Sequence, residues 1–316
     1  MTRTGTTARV GTAEAEAPAP EQGTDQGTEQ GTDSEQETET ETETEVEPGA
    51  VRLGISLSDF VPERGHTDDV YRRVSYVEYG GHHPPAKDAG VRHLLDEGVV
   101  ADLGRHLVSV ELPDVLDIED EARRIAENHA GTSPRYMVTD FGFWRLGGRD
   151  ERNLWFRPAS LTHEVAERIA RNVEGLSREL GAPVHAENPF SLTHAGELSP
   201  VGFMRELVAR GATLCFDIGH FYAACVNAGM DVWRELEQVP FEAIRVAHIA
   251  GLSKVGYGGR PLVIDNHNVP PLKGCLEVLR IVKERSPGLG WVTYEAELAS
   301  TEVQHRGLDA IERAMA

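Results

Sequence analysis

The amino-acid sequence predicts an α/β protein, a (β/α)8 barrel of the TIM type preceded by an acidic tail. Short runs rich in apolar and β-branched residues recur eight times between residues 51 and 298, which predicts eight strands. Amphipathic segments with helical spacing lie between many of these runs. Apolar strands that alternate with helices are typical of a parallel sheet covered by helices, and eight such units can close into a barrel.

The predicted elements follow one another at spacings that suit this fold. In chain order the strands cover residues 51–57, 75–80, 106–112, 135–142, 183–188, 213–220, 244–251 and 290–298. Apolar residues at helical spacing predict helices over residues 118–130, 161–181, 199–211, 272–288 and 301–316. Ser199 and Pro200 supply an N-cap and a first-turn proline. Gly181 and Gly211 lie where a glycine ends a helix.

The first 50 residues differ in composition from the rest of the chain. They contain 13 acidic and 2 basic residues, a net charge of −11 out of −21 for the whole chain, and no Phe, Trp or Tyr. Such a segment offers no apolar surface whose burial could offset the entropy cost of ordering the backbone. Residues 1–50 are therefore expected to form a disordered low-complexity tail, and residues 51–316 to form the barrel domain.

Charge, hydropathy and cysteine usage exclude several classes of protein. There is no apolar run near the roughly 20 residues that span a bilayer, and the N-terminus has no apolar signal segment, so no membrane partner is expected. The acidic balance argues against a nucleic-acid partner. Cys215, Cys225 and Cys275 have no CxxC spacing, so neither disulfides nor a thiolate zinc site is predicted. We therefore expect a cytoplasmic protein.

Residues that commonly bind metals stand at or near the predicted ends of six strands. In a parallel barrel these ends meet at one mouth, where such folds place their active sites. The residues are Glu111, Asp140, Glu187, Asp217, His220, His248 and Glu295. Taken singly, each could be a helix cap or a histidine bonded to the backbone. Together with Glu297, the second candidate at the end of the eighth strand, they make six carboxylates at one mouth. These would repel one another without cations among them, and the only lysine near a predicted strand end is Lys254.

The loop after the seventh predicted strand adds two more candidate ligands. Asp265 and His267 are two residues apart, so both side chains can converge from an extended or turn segment, although an Asx turn would also explain them. Oxygen and imidazole donors without thiolate favour Fe, Mn or Zn, and this mixture suits a multi-iron centre best. In the eighth strand, Glu295 and Glu297 share one face, so alternation does not decide between them, and Glu295 is preferred on spacing together with the family resemblance given below.

Five further residues near predicted strand ends are candidates for substrate binding, although packing or surface roles explain them equally well. They are Asn188, Trp144, Arg145, Tyr222 and Tyr257. A metal-free acid/base pair of Glu187 and Glu295 is a weaker interpretation, because it leaves the histidines unexplained.

Five segments of the sequence resemble the multinuclear non-heme iron-dependent oxidative enzymes, the family of the methanobactin and thiaglutamate maturases. They read AENPF, CFDIGHFYAACVNAGMD, VAHIAG, IDNHN and TYEAEL, and TDFGFW is similar to the family's Ser-Asp-His stretch followed by Trp. The spacings support the resemblance, with 30 residues from Glu187 to Asp217, 31 from there to His248, and 47 more to Glu295. It covers roughly residues 51–300.

The resemblance implies a barrel enzyme with two or three iron ions and O2 as co-substrate. Glu187, Asp217, His248 and Glu295 would be core ligands, the first three also catalytic, with Asp140 lining the same centre. Asp265 and His267 would bind a neighbouring iron. The substrate would be a cysteine-containing peptide or a related small molecule in natural-product biosynthesis, delivered by a partner protein.

Three positions depart from the family's pattern. Glu111 is expected where the family has a His at the end of the third strand, Phe141 replaces the His after the strand-four Asp, and His220 stands where Asn is typical. The alternative interpretation is a xylose-isomerase-like sugar isomerase or epimerase, to which the phrase FDIGH is similar and in which one divalent metal polarises a hydroxy-ketone.

Overall fold

The structure is a computed structural model that describes residues 50–58, 68–81, 83–144, 157–192 and 194–316. The strands in these ranges are β1 (Arg52–Leu57), β2 (Tyr76–Tyr79), β3 (Asp102–His106), β4 (Tyr136–Asp140), β5 (Gly142–Phe143), β6 (Arg157–Pro158), β7 (Val184–Glu187), β8 (Leu214–Asp217), β9 (Ile244–Ala250), β10 (Leu252–Tyr257), β11 (Arg260–Asp265) and β12 (Trp291–Glu295). The α-helices are α1 (Asp68–Tyr71), α2 (Ala89–Asp96), α3 (Ile118–Asn128), α4 (His163–Leu180), α5 (Pro200–Ala209), α6 (Ile218–Ala228), α7 (Val232–Leu236), α8 (Lys273–Arg285) and α9 (Thr301–Met315).

Eight parallel strands close into a barrel, which confirms the predicted fold class. Around the barrel the order is β1, β2, β3, β4, β7, β8, β9 and β12, and β12 pairs again with β1. The other described strands form two antiparallel hairpins after barrel strands, β5 with β6 and β10 with β11. The second hairpin was not predicted, and it carries Asp265 at the end of β11.

Aromatic side chains fill the interior of the barrel below its mouth. The rings of Tyr76 and Trp291 meet edge to face, with their centroids 4.9 Å apart, and Tyr136 packs beside them. Two glycines make room for this packing, because a Cβ at Gly54 would lie 2.3 Å from Cζ of Tyr76 and one at Gly104 would lie 2.6 Å from Cζ of Tyr136. The barrel is therefore packed below, and its polar groups gather above.

The helix-end signals read from the sequence lie where they were predicted. The Ser199 hydroxyl accepts a hydrogen bond from the Gly202 N–H at the start of α5, and Pro200 is its first residue. Gly181 ends α4 at φ 63°, in the left-handed region that glycine adopts without strain. Gly211 follows α5 at φ 89°.

The prediction for the third strand is wrong. The strand is Asp102–His106, and the predicted segment 106–112 overlaps it only at His106. Leu107, Val110 and Leu112 lie in the turn segment after β3. Their side chains are buried there, and this burial explains the strand-like pattern of the sequence. The true strand lacks β-branched residues, and its conformation follows from pairing with β2 and β4.

The sixth predicted strand is too long, because a helix begins inside it. β8 ends at Asp217, and α6 begins at Ile218. The Asp217 carboxylate accepts the backbone N–H of His220 and so caps the helix. His220 therefore lies in the first turn of α6.

Some predictions concern residues outside the described ranges. These include the tail, of which only residue 50 is described, and Arg145. Of Tyr257 only the backbone position in β10 is described. Among the described helices, none combines the length and the apolar composition that crossing a membrane requires.

Candidate metal centre

Carboxylates and imidazoles converge at the mouth of the barrel, where the carboxyl ends of the parallel strands lie. The strands place them there because alternate residues point inward. The side chains that lie together are His106, Asp140, Glu187, Asp217, His220, His248, Asp265, His267 and Glu295. Of these nine, all but His106 are residues that the sequence analysis proposed as metal ligands.

Glu187 lies at the centre of the group and is fully buried. Its Oε1 is 3.2 Å from Nδ1 of His248, and its Oε2 is 3.4 Å from Nε2 of His106. The same His106 nitrogen is 3.3 Å from Oδ2 of Asp140, and Nδ1 of His248 is 3.4 Å from Oε1 of Glu295. These five side chains form the inner part of the mouth.

The outer part of the mouth is built around Asp265. Its Oδ2 is 2.8 Å from Nε2 of His267 and 3.7 Å from Nε2 of His220. Nδ1 of His220 is 3.6 Å from Oδ1 of Asp217 and 3.7 Å from Oε1 of Glu187. Glu187 thus faces both parts.

Three of the histidines are held from outside the group by a hydrogen-bond acceptor. Glu78 lies 3.0 Å from Nε2 of His248, the Asn188 carbonyl 2.9 Å from Nδ1 of His220, and Oε1 of Glu297 2.8 Å from Nδ1 of His267. In His248 and His267 the other ring nitrogen faces the group, and in His220 Nε2 faces Asp265 while Nδ1 also lies near Asp217 and Glu187. Histidines that bind metals almost always have this second contact, which fixes the tautomer and the ring orientation.

Several buried polar atoms of the group have no hydrogen-bond partner among the described residues. They include both oxygens of Glu187, Oδ2 of Asp217, Oδ1 of Asp265 and Nδ1 of His248. Leaving buried carboxylate oxygens without donors is costly, and native structures seldom do so without a reason. Metal ions bound at the mouth would give these atoms partners, so the residues fit a metal centre.

The pKa values of these residues show how the metal-free mouth balances its charge. Burial lowers the pKa of His106, but the charges of Glu187 and Asp140 outweigh it and raise the value to about 9. For Glu187, burial raises the pKa, but His248 and His106 outweigh it and lower the value to about 2. Burial raises the pKa of Glu295 to about 8. Protonated histidines therefore occupy the role that a cation would take.

The two carboxylates of β12 and its following loop have separate contacts. Glu295 faces His248 and lies within the group, as the spacing predicted. Glu297 lies beside it, where it accepts hydrogen bonds from Ser56 and faces Nδ1 of His267. His248 pairs in register across the sheet with Thr293 and Asp217, which fixes the height of the group in the barrel.

The structure does not bring every predicted site residue to the mouth. Glu111 lies in the turn region five residues beyond β3 and outside the clustered groups, because β3 ends at His106. Both polar atoms of the Asn188 amide bond the backbone of Asp217, so this side chain ties β7 to β8. The Tyr222 ring packs against the backbone of α8 at Gly274. Trp144 is half-buried directly after β5.

Sequence reasoning missed three residues at the mouth. His106 was overlooked because the third strand was misplaced, and the structure shows that this histidine, not Glu111, ends the strand. Glu78 carried a signal, since it is a carboxylate inside an otherwise apolar strand. Cys215 lies beside Glu187 and His248, and burial raises the pKa of its thiol.

Comparison with known sequences identifies relatives of this chain. A family model described as RiPP precursor modification enzyme MbnB/TglH/ChrH matches residues 106–313. A UPF0276 protein of Bordetella pertussis is 32% identical over 181 residues, 55% of this chain and 58% of that protein. One of Streptomyces avermitilis is 28% identical over 185 residues, 55% of this chain and 37% of that protein. The chain thus spans less than two thirds of the length of these relatives.

Solved structures share the barrel at low sequence identity. A xylose isomerase domain protein from Planctomyces limnophilus has a TM-score of 0.52 and 13% identity, covering 84% of this chain and 96% of its own. D-psicose 3-epimerase with D-tagatose from Clostridium cellulolyticum H10 has a TM-score of 0.51 and 9% identity, with coverages of 84% and 98%. At these identities the likeness concerns the fold alone.

The family match covers well over half of the chain, from the strand-three histidine to the last helix. It includes each of the nine side chains that converge at the mouth. This chain belongs to the family of RiPP precursor modification enzymes MbnB/TglH/ChrH.

Proposed function

We propose that this protein is an oxidoreductase that binds two or three iron ions at the barrel mouth and uses O2 to oxidise its substrate. Membership in the family supports a metalloenzyme. The observation that carries the proposal is the unpartnered, fully buried Glu187 between two histidines. Without a cation this arrangement is costly, and with one it is a ligand set.

The contacts favour two overlapping metal positions. Ligand atoms of His106, Asp140 and Glu187 lie within 4.8 Å of one another, as do those of Glu187, Asp217 and His220. Glu187 belongs to both sets, and a carboxylate can bridge two metals through its two oxygens. Nitrogen and oxygen donors of this kind suit Fe, Mn and Zn, and O2 chemistry selects iron.

Bound iron would supply the one-electron chemistry with O2 that amino-acid side chains lack. The part of this chain is to position donors and exclude water. Glu78, Glu297 and the Asn188 carbonyl orient the three histidines. The packed aromatic layer around Tyr76 and Tyr136 closes the barrel below the mouth, which keeps the centre dry on that side.

The substrate class follows from the family, and we propose a cysteine-containing peptide or a related small molecule, brought by a partner protein. A small, mainly apolar pocket of about 30 Å³ lies next to the mouth. His220 and Asn188 form its inner wall, and Phe141, Met204 and Phe221 line its apolar side. Neither a nucleic-acid nor a membrane partner is proposed.

We also infer a cytoplasmic location. All three cysteines of the chain are buried and none is in a disulfide, as expected in a reducing compartment.

Metal analysis combined with Mössbauer spectroscopy on protein produced with iron tests the proposal. We expect two or three irons per chain and consumption of O2 only when a cysteine-containing peptide is added. Fewer than about one iron per chain would contradict the proposal. The Glu187→Gln variant is the control, because it removes the shared carboxylate and should lose most of the iron.

The same measurement separates the alternative of a sugar isomerase. The xylose-isomerase-like fold and the FDIGH segment favour that alternative. Such an enzyme would turn over a sugar anaerobically with one Mn, Co or Zn ion per chain. Three clustered histidines, His106, His220 and His248, and the carboxylate of Glu187, which belongs to three of the clusters, favour more than one metal ion.

A further inference from the structure

We propose that Glu78 is a positioning residue that fixes the tautomer of His248 and thereby makes its Nδ1 available to the metal centre. The inference rests on the proposed function only in treating the barrel mouth as a metal site. It concerns a residue of β2 whose carboxylate faces Nε2 of His248, whereas Glu187 and Glu295 face Nδ1. Glu78 borders the cluster, since one of its oxygens lies within 4.8 Å of ligand atoms of His106, His248 and Glu295.

The contacts of Glu78 leave it a single orientation. Its Oε2 accepts hydrogen bonds from the Tyr136 hydroxyl at 2.6 Å and the Thr293 hydroxyl at 3.1 Å. Both of its oxygens lie 3.0 Å from Nε2 of His248. Glu78 is 1% exposed and His248 is fully buried, so water does not compete for these bonds. Tyr76 extends the network by its contact with Thr293 at 2.8 Å.

The two nitrogens of His248 face different carboxylates. Nε2 faces Glu78, whereas Nδ1 faces Glu187 and Glu295 and has no hydrogen-bond partner among the described residues. Glu187 and Glu295 belong to the proposed metal centre, so a metal ion held there would take the lone pair of Nδ1. The proton of the neutral imidazole must then be on Nε2, where the Glu78 carboxylate accepts it.

The hydroxyls of Tyr136 and Thr293 both donate to residue 78, and for this reason only a carboxylate there favours the proton on Nε2 of His248. In Glu78→Gln, the amide oxygen would take the position that accepts from Tyr136 and Thr293. The amide NH2 would then turn toward His248 and donate to Nε2. That contact selects the opposite tautomer, with the proton on Nδ1, where it blocks metal binding. This substitution keeps the size of the side chain and removes its charge, and it should move the proton of His248 from Nε2 to Nδ1.

Zinc and NMR provide a test that involves neither iron nor O2. Wild-type protein and Glu78→Gln, both labelled with 15N-histidine, are titrated with Zn2+ against a competing chelator, and the His248 ring nitrogens are observed by long-range 1H–15N correlation. We expect a 10- to 100-fold weaker affinity in Glu78→Gln. In the zinc-loaded wild type Nε2 should carry the proton, whereas in Glu78→Gln the proton should be on Nδ1.

The matched control is Glu121→Gln. Glu121 is another buried glutamate, on α3, where it pairs with Arg124 away from the mouth. This variant should lose some thermal stability and keep the wild-type zinc affinity. If Glu78→Gln fails to fold, Glu78→Asp replaces it; the shorter carboxylate should weaken zinc binding and give a mixture of tautomers.

Three results would overturn the inference. The first is a variant of Glu78 that binds zinc as tightly as the wild type. The second is the loss of a whole zinc equivalent while the proton of His248 stays on Nε2, since Glu78 would then itself be a ligand. The third is an equal loss of affinity in Glu121→Gln. A wild-type protein that binds zinc in this way but neither iron nor O2 would contradict the proposed function and leave this inference standing.

Discussion

The two ends of the barrel interior treat buried carboxylates in opposite ways. At the lower end, Asp102 of β3 is buried and paired with the guanidinium groups of Arg52 and Arg135. At the mouth, Glu187 is buried, and neither of its oxygens has a hydrogen-bond donor among the residues that the structure describes. The lower carboxylate is satisfied within the fold and contributes to stability. The unsatisfied upper one supports the proposal that the mouth is the functional end.

Replacing the shared carboxylate should have the largest effect. In Glu187→Gln we expect metal affinity to fall at least 100-fold, because both metal positions lose an anionic ligand. Atomic emission analysis after dialysis measures the metal content, and calorimetry of the metal-free protein measures its thermal stability. Full metal content in this variant would contradict the proposed difference between the two ends of the barrel, because Glu187 would then not be required for metal binding.

Replacing His106 and Glu111 one at a time tests which of them is the ligand near the end of the third strand. His106→Gln should weaken metal binding about 10- to 100-fold, since it removes a nitrogen that faces Glu187 and Asp140. Glu111→Gln, the residue that sequence spacing suggested, should leave metal content unchanged. The opposite outcome in a chelator competition would restore the original assignment.

The lower end of the barrel should respond in stability and not in metal binding. Asp102→Asn leaves Arg52 and Arg135 without their carboxylate, and both arginines are partly exposed, which limits the loss. We expect a decrease of about 1–3 kcal/mol in the free energy of unfolding. Denaturant titration measures it, and metal analysis should show wild-type content. A loss of metal would mean that the two ends are coupled.

The smallest expected effect is the pH dependence of the mouth. The raised pKa values, about 9 for His106 and about 8 for Glu295, mean that the metal-free fold holds protons that the unfolded chain releases. The stability that these protons contribute is fully present below the pKa values of the unfolded chain, 6.5 for His106 and 4.5 for Glu295. It is lost as the pH rises through the pKa values of the folded protein, about 9 and about 8.

Metal affinity should change in the opposite sense, because a metal must displace those protons. It should rise by at most about tenfold per pH unit for each proton released, and level off above about pH 9 for His106. Calorimetric titrations in two buffers of different ionisation enthalpy count the protons. An affinity that is constant from pH 6 to pH 9 would contradict this account of the mouth.

The sequence predicted the barrel well where strands are apolar and β-branched, and it failed where the strand conformation comes from neighbours. Asp102–His106 reads as DLGRH and has no local strand signal, whereas the turn after it imitates one through Leu107, Val110 and Leu112. Because the strand was misplaced, Glu111 was proposed as a ligand and His106 was not. The β10–β11 hairpin was also missed, although Gly258 and Gly259 at its tip, both at positive φ, are a typical hairpin turn.

Eight of the nine side chains that lie at the mouth could be named from the sequence, because a strand-end position needs only an approximate register. Their outer contacts could not be predicted, since Glu78 and His248 are 170 residues apart. Only the closed barrel brings β2 against β9 across its interior. The choice between Glu295 and Glu297 agreed with the placement of the two side chains, but the role of Glu297 beside His267 required three-dimensional contacts.

The tyrosines that fit against Gly54 and Gly104 fill the described barrel below the mouth, so the clustered side chains are approached from the rim. Under the proposed function, a peptide and O2 would then share one route of entry. A bulky peptide seated at the rim would slow the passage of anything smaller. The order in which the two are added to the metal-loaded protein would therefore change the rate of the reaction.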